Sequence, residues 1–384
     1  MKVLHVYKTY YPDSFGGIEQ SIRHLANGCG VHGIHSEVFT LSPSPQAESI
    51  EYEGHRIHQA KANIQLASTP LSLSAFAKFA DLAKQFDLIH YHYPYPFADL
   101  LKLATFVKKP SIVTYHSDII RQRRLKYIYA PLQALFLRSI DRIVCTSEVY
   151  LKTSPVLKKY KYKTEAVSLG LDKRSFPVPT QKNLDKWLNL INQPFFLFLG
   201  VLRNYKGVRT LVDAASMTNA NIVIAGGGPE LDTLKKHAKS LKLENVIFTG
   251  QISEDDKAAL LQLSTGLVLP SHLRSEAFGL VQLEAAMKAK PLVCTELGTG
   301  TSYVNEHENT GLVVPPKNPE ALGNAMNFLT YHPAMAQRMG KEAEKRFKEL
   351  FTAEQMCKHY ARIYKDVVGK KSLSEPVSVL ASAE

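Results

Sequence analysis

The sequence predicts an α/β protein built as two doubly wound parallel-sheet domains facing a cleft, and three observations predict it. Short apolar runs alternate with helix-length amphipathic segments along nearly the whole chain. The runs lack strict in/out alternation, so they read as strands buried on both faces, as in sheets covered by helices on either side. A polar stretch at 171–193, holding Pro177 and Pro179 with Pro194 just beyond, divides the runs into two series.

The first series lies at 3–7, 37–41, 88–92, 111–116 and 142–146, the second at 195–201, 222–225, 246–249, 267–270 and 292–295. Each is short and rich in Val, Ile, Leu and Phe. The boundary is placed at the linker, with an N-terminal domain over 1–178 and a C-terminal domain over 179–351. Three helical patterns follow Pro319, the last over 352–368, and a polar tail at 369–384 reads as mobile. In open α/β sheets ligands bind outside the carboxyl ends of the strands, and the chemically loaded residues here do fall just after the apolar runs.

Composition narrows the function. Hydrophobic residues make up 45% of the 384, too many for a disordered chain. Lys plus Arg number 47 against 35 Asp plus Glu, a formal net charge of +12, so an anionic partner is expected: phosphorylated metabolites, an acidic membrane surface or nucleic acid. No nucleic-acid-binding motif is evident, and nucleic acid is not expected as a partner. Cys29, Cys145, Cys294 and Cys357 are scattered without metal or disulfide spacing, which suits a reducing compartment. Lys8 interrupts what a signal peptide would need as an apolar region, and no run of 18 apolar residues exists. A cytoplasmic chain, at most peripheral on a membrane, is expected.

Ser14-Phe15-Gly16-Gly17-Ile18-Glu19 follows the first strand and opens a helix; its glycines would let backbone approach a phosphate, or simply make a tight turn. His90 and His92, at a strand's end, read as buried, hydrogen-bonded structural histidines. His116, followed by Ser117-Asp118, reads as functional. None of the three has a ligand set that argues for metal.

In the second half, Gly200-Val201-Leu202-Arg203-Asn204-Tyr205-Lys206-Gly207 follows a strand, and Arg203 and Lys206 would converge on one diphosphate. Cations at a helix start are unfavourable unless an anion joins them. Glu276 and Glu284 are eight residues apart. If a helix begins near Gly279, Glu276 lies in the preceding loop, and the two acids would grip opposite ends of an extended ligand around the amides of Phe278, Gly279 and Leu280. The Gly226-Gly227-Gly228-Pro229 turn suits either a plain turn or a nucleotide contact, with Gly228 the candidate residue. Asp255-Asp256 reads as helix capping rather than a metal pair. Basic residues at 121, 123, 124 and 126, followed by Tyr127, Tyr129, Leu132, Leu135 and Phe136, read as a membrane-surface helix or a solvated face, and a second basic group lies at 158, 159, 161 and 163.

Gly16-Gly17-Ile18-Glu19, His116, the Gly200…Lys206-Gly207 segment, the triple-glycine turn and the Glu276…Glu284 pair, in this order, resemble a retaining glycosyltransferase of the GT4 family, with its two Rossmann-like domains (GT-B). The resemblance runs from residue 1 to about 368. It implies that Arg203 and Lys206 hold a donor diphosphate and Glu284 the ribose. It further implies that Glu276 faces the donor sugar, with Phe278, Gly279 and Leu280 donating amides. Gly16 and Gly17 would close on the phosphate, His116 would contact the transferred sugar, and the last helix would return to the N-terminal, acceptor-side domain. The resemblance implies no cofactor and no metal, only a nucleotide diphosphate sugar as co-substrate.

Where many members carry G-G-x-x-E, this chain has Glu296-Leu297-Gly298-Thr299-Gly300-Thr301-Ser302-Tyr303. That loop is similar to bacterial enzymes transferring mannose or D-rhamnose from GDP-sugars in O-antigen assembly. The expected function is transfer of such a hexose to a lipid-linked or glycan acceptor at the inner membrane. A nucleotide-sugar epimerase and a non-catalytic nucleotide-sugar-binding protein are the alternatives.

Overall fold

The structure is a computed structural model that describes residues 1–46, 49–66, 69–119, 123–191 and 193–374. Its chain divides into two compact units. The first comprises Met1–Cys145, Lys159–Val167 and the chain from Met356 on; the second comprises Thr146–Lys158 and Ser168–Gln355.

The first unit's strands are β1 (Lys2–Val6), β2 (His35–Ser42), β3 (Ile50–Tyr52), β4 (His55–Lys61), β5 (Ile64–Leu66), β6 (Thr69–Leu71), β7 (Leu88–Tyr93), β8 (Ser111–Tyr115), β9 (Arg142–Cys145) and β10 (Thr164–Ala166). Eight form one sheet in the order β10-β9-β8-β7-β1-β2-β4-β3, while β5 and β6 pair separately. Every neighbour in the large sheet is parallel except β3 with β4. Residues of β7 and β8 are buried on both faces, as their unbroken Leu-Ile-His-Tyr-His-Tyr and Ser-Ile-Val-Thr-Tyr sequences require. The strand order reverses between β1 and β7, so the loops after these two strands frame the unit's switch point.

The second unit holds β11 (Phe195–Leu199), β12 (Asn221–Ala225), β13 (Val246–Gly250), β14 (Gly266–Leu269), β15 (Leu292–Thr295) and β16 (Gly311–Val314). They form an all-parallel sheet in the order β13-β12-β11-β14-β15-β16. Phe196, Phe198, Ile222, Ile224 and Val268 from the sheet pack with Leu211, Leu234, Leu322 and Met326 from the flanking helices in one core. Here the order reverses between β11 and β14, so their following loops, from Gly200 and from Pro270, meet.

Three features differ from the sequence reading. The chain leaves the first unit at Thr146, returns over Lys159–Val167 and leaves again at Ser168, where the sequence reading has one crossing near 178. The presumed linker contains a helix, Gln181–Leu190, started by Thr180, whose hydroxyl accepts from the Asn183 N–H. Buried Trp187 anchors that helix by donating from Nε1 to Asp256 at 2.8 Å. Finally, β3, β4, β5, β6, β10 and β16 were not anticipated; in β4, His55-Arg56-Ile57-His58-Gln59-Ala60-Lys61 is too polar to look like a buried strand, yet it pairs with β2 over five residues.

The last helix, Ala353–Ser374, contributes Tyr360 and Tyr364 to the first unit's interior. The Tyr360 hydroxyl bonds Thr114 Oγ1 at 2.7 Å and the Tyr364 hydroxyl bonds His90 Nδ1 at 2.8 Å, so both polar tips are satisfied where water is excluded.

Candidate active site

The loop after β11 is shaped by glycine. Gly200 and Gly226 come so close that a Cβ on Gly226 would stand 2.0 Å from the Gly200 carbonyl oxygen, and Gly226 has φ +143°. Leu202 N–H donates to Gly227 O at 2.8 Å and Glu230 N–H to Leu202 O at 3.2 Å, which locks the β11 and β12 loops together. A Cβ on Gly228 would lie 2.7 Å from both Leu202 N and O, so close packing already accounts for glycine there. At the loop's end Gly207 adopts φ +68°, and a Cβ would meet Pro270 O at 2.0 Å. Together these contacts press the Lys206 segment against the loop after β14.

There Lys206 Nζ lies 2.5 Å from Glu276 Oε2, and Ser271 Oγ donates to the same oxygen at 3.2 Å. Glu276 is 7% exposed. Burial alone would lower the Lys206 pKa, but Glu276, with Tyr205, more than offsets it and holds the ammonium above its ordinary value. Lys206 is therefore a cation at neutral pH, held in place by its ion pair with Glu276.

Exposed Arg203 lines a cavity of about 440 Å³ with Asn204, Arg209, His272 and Lys317, while the Lys206 ammonium is held by Glu276.

Glu276 sits in a loop, because Gly279 (φ +79°) turns the chain into the helix Leu280–Ala286. Phe278 is buried. Among the described residues, the amides of Phe278, Gly279 and Leu280 donate to no protein acceptor. Glu284 lies one turn into the helix, 7% exposed, with Oε2 3.3 Å from Lys257 Nζ. Burial raises the Glu284 pKa, with Glu254 adding to it and Lys257 opposing. The two acids thus have different partners, Lys206 and Ser271 for Glu276 and Lys257 for Glu284.

The variant loop after β15 buttresses this segment. Thr299 Oγ1 donates to Glu276 O at 2.8 Å, and Gly300 N–H to Ala277 O at 2.7 Å. A Cβ on Gly300 would lie 2.7 Å from the Phe278 ring. The Thr295 hydroxyl donates to Ser271 O, tying β15 to the same loop. Ser271 and Lys257 were missed by the sequence reading; the only signal was their place after a strand or on the helix beside Glu284.

Asp256, read as a capping residue, accepts from Ser253 Oγ, Lys186 Nζ and Trp187 Nε1, and its own N–H donates to Ser253 Oγ at 3.1 Å. Its carboxylate is spent on structure.

In the first unit, Gly16 precedes the helix Gly17–Gly28, and both glycines are exposed. Buried Glu19 folds back beneath the loop, accepting from Thr9 Oγ1 at 3.0 Å and Ser14 Oγ at 2.9 Å. His116 follows β8 and is buried; its Nε2 bonds His92 Nδ1 at 3.0 Å, while its Nδ1 has no partner among the described residues. Burial lowers the His116 pKa to about 3, so the ring is neutral. His90 and His92 are buried and hydrogen-bonded, and the sequence reading passed over His5, which joins them from β1.

Of the basic clusters, Arg121 lies outside the described residues, as do the side chains of Arg123, Arg124 and Lys126 and the tail 375–384. Lys163 donates to the carbonyls of Arg138 (3.0 Å) and Ile140 (2.6 Å), so it secures a helix end.

Two doubly wound units, one carrying a cation–carboxylate pair and free amides at its switch point, define a GT-B glycosyltransferase. Residues 15–153 match the family described as Glycosyltransferase Family 4, and residues 180–346 match Glycosyl transferases group 1. The chain is 50% identical to a D-rhamnosyltransferase, WbpZ, of Pseudomonas aeruginosa, covering 92% of this chain and 93% of that one. It is 44% identical to O-antigen chain mannosyltransferase C of Escherichia coli, over 97% and 100% of the two chains. Sucrose-phosphate synthase from Thermosynechococcus elongatus shares the fold, with a TM-score of 0.79 at 23% identity, over 96% of this chain and 99% of that one. The chain belongs to glycosyltransferase family 4.

Proposed function

We propose that this enzyme transfers a mannose- or D-rhamnose-type hexose, with retention and without a metal ion, from a GDP-sugar to a lipid-linked or glycan acceptor in O-antigen assembly. The observation that carries the reading is the Lys206–Glu276 pair beside the three free amides of Phe278, Gly279 and Leu280. The two curated relatives named for rhamnosyl and O-antigen mannosyl transfer support the sugar and the process.

The chemistry follows from charge. As the bond from the anomeric carbon to phosphate oxygen breaks, its electron pair goes to the diphosphate and the sugar gains oxocarbenium character. Lys206 and the free amides would bind that diphosphate more tightly as its charge grows, which lowers the barrier rather than only binding the ground state. A fixed ammonium supplies the charge that a divalent ion would otherwise bring. Glu276, held by Ser271 and Lys206, would accept hydroxyl hydrogen bonds from the sugar, and Glu284 would accept those of the ribose. His116 would contact the sugar near its reacting carbon, with Gly16 and Gly17 against the phosphate. The acceptor hydroxyl attacks on the face the phosphate leaves, and its proton passes to the leaving phosphate oxygen.

Peripheral membrane contact is part of the reading. Ile128 (78% exposed) and Leu135 (55% exposed) lie seven apart on the helix Arg123–Ser139, one stripe beside a basic sequence. No described helix is long and apolar enough to cross a bilayer.

The experiment is to incubate purified protein with GDP-mannose, GDP-D-rhamnose or the UDP-hexoses, with and without a lipid-linked glycan acceptor and with EDTA. Acceptor-dependent GDP release that survives EDTA, with the anomeric configuration retained in the product, is expected. Isomerised donor without acceptor would instead make it an epimerase, and saturable binding without GDP release a binding protein.

A further inference from the structure

Four histidines stand together in the first unit, and only one has a place in the reading above. His5 on β1, His92 on β7 and His116 after β8 form a row across neighbouring parallel strands. Adjacent rings are near-parallel, inclined by 20° and 23°, with centroids 5.3 Å apart in each pair. His116 Nε2 meets His92 Nδ1 at 3.0 Å, His92 Nε2 meets His5 Nδ1 at 3.0 Å, and His5 Nε2 meets Ser36 Oγ at 3.3 Å. His90 stands beside the row but is separately satisfied, by Thr114 Oγ1 at 2.7 Å and Tyr364 OH at 2.8 Å. Among the described residues, His116 Nδ1 is the one ring nitrogen of these four histidines without a protein partner.

A neutral imidazole donates from one nitrogen and accepts at the other. Burial holds all four rings neutral, with their pKa values far below the ordinary range. A hydrogen-bonded row of neutral rings then has only two proton arrangements, since any mixture sets two protons or two lone pairs face to face at 3.0 Å. Either every proton is on Nε2 and Ser36 accepts, or every proton is on Nδ1 and Ser36 donates. Ser36 is buried and has no other side-chain partner among the described residues, so in the first arrangement its hydroxyl proton would be stranded. The second satisfies every group.

We infer that Ser36, His5 and His92 are positioning residues that impose the Nδ1–H tautomer on His116, so that His116 meets the donor sugar as a hydrogen-bond donor to oxygen. This rests on the proposed contact between His116 and the sugar. It adds the proton's location and a residue three rings away that sets it. The arrangement also costs the row any metal-binding role: although ring nitrogens of His5, His90 and His92 lie within 4.8 Å of one another, each is already spent on a protein hydrogen bond.

The test is to label the histidines with ¹⁵N and record the ring-nitrogen spectrum of the full chain, assigning His116 with His116→Ala. Wild type is expected to show His116 protonated on Nδ1 and bare on Nε2. Ser36→Ala removes one oxygen far from the substrate; it should move His116 toward the Nε2–H form and lower kcat about tenfold, the scale of one weakened transition-state hydrogen bond, with donor KM little changed. Ser36→Thr, which keeps the hydroxyl, should restore both. A wild-type His116 carrying its proton on Nε2, a His116 signature unmoved in Ser36→Ala, or a stoichiometric transition metal in the purified protein would each overturn the inference. Full transfer by His116→Ala would instead overturn the sugar contact, while the spectra would still judge the tautomer.

Discussion

Lys206 Nζ rests 2.5 Å from Glu276 Oε2, although the residues are 70 positions apart and on loops after different strands. The pair forms because β11 and β14 are neighbours at the point where the strand order reverses, and because Gly207 lets the first loop touch Pro270. In Lys206→Ala, Glu276 is left buried with only Ser271 to answer it. Turnover should fall about 10²- to 10³-fold, the cost of one preorganised transition-state group. Circular dichroism should still report a folded chain, and wild-type turnover in that folded variant would end the assignment of Lys206.

Gly207→Ala tests the packing beneath that pair. The added Cβ faces a backbone oxygen at 2.0 Å, and φ is +68°, so neither space nor conformation is available. A destabilisation of about 1–3 kcal/mol is expected from the backbone alone. It should appear as a lower Tm together with weaker donor binding, whereas Gly227→Ala, with nothing within 4 Å of its Cβ, should change neither much.

Glu284→Gln tests the second acid. A neutral amide beside Lys257 keeps the size of the side chain but loses acceptor strength. Calorimetry should show GDP binding weakened about tenfold, one lost charge-assisted hydrogen bond. Wild type should bind 2′,3′-dideoxy-GDP no better than the variant binds GDP; an unchanged affinity in Glu284→Gln would remove the ribose from its role.

Thr299→Val tests the variant loop. It deletes the hydroxyl that holds Glu276 O at 2.8 Å and strands a buried carbonyl. Hydrogen–deuterium exchange at 276–280 should rise, with a stability loss of about 1–3 kcal/mol. Unchanged exchange there would show that Gly300 alone holds the segment.

The histidine row predicts acid sensitivity. His5 and His116 have folded-state pKa values lowered to about 3, and those of His90 and His92 are lowered too, against 6.5 in an exposed chain. Below 6.5 the unfolded chain therefore binds protons that the folded one refuses. Stability is complete above that pH and falls as pH drops, by about 1.4 kcal/mol per unit for each ring that stays neutral. Urea midpoints measured from pH 7.5 to 5 should fall steeply, and more shallowly in His5→Phe.

Much of this was legible in the chain. All ten apolar runs are strands, since burying both faces of a parallel sheet demands such runs wherever they occur. Lys206 stood out because it follows a strand, and the acids at 276 and 284 because of their eight-residue spacing. The helix at Gln181–Leu190 and the polar strand β4 escaped notice, since Trp187 gains its Asp256 partner, and β4 its ladder to β2, only from distant sequence.

What the sequence determined by itself was the ten apolar strands and the motif residues at their ends, because strand burial, caps and glycine turns are local demands of backbone chemistry. Which of those residues meet was decided by the tertiary structure. Lys206 joined Glu276, and His5 entered a row with His92 and His116. Such partnerships depend on strand order and parallel register, which bring side chains within 3 Å across tens of residues and leave no spacing in the sequence to announce them.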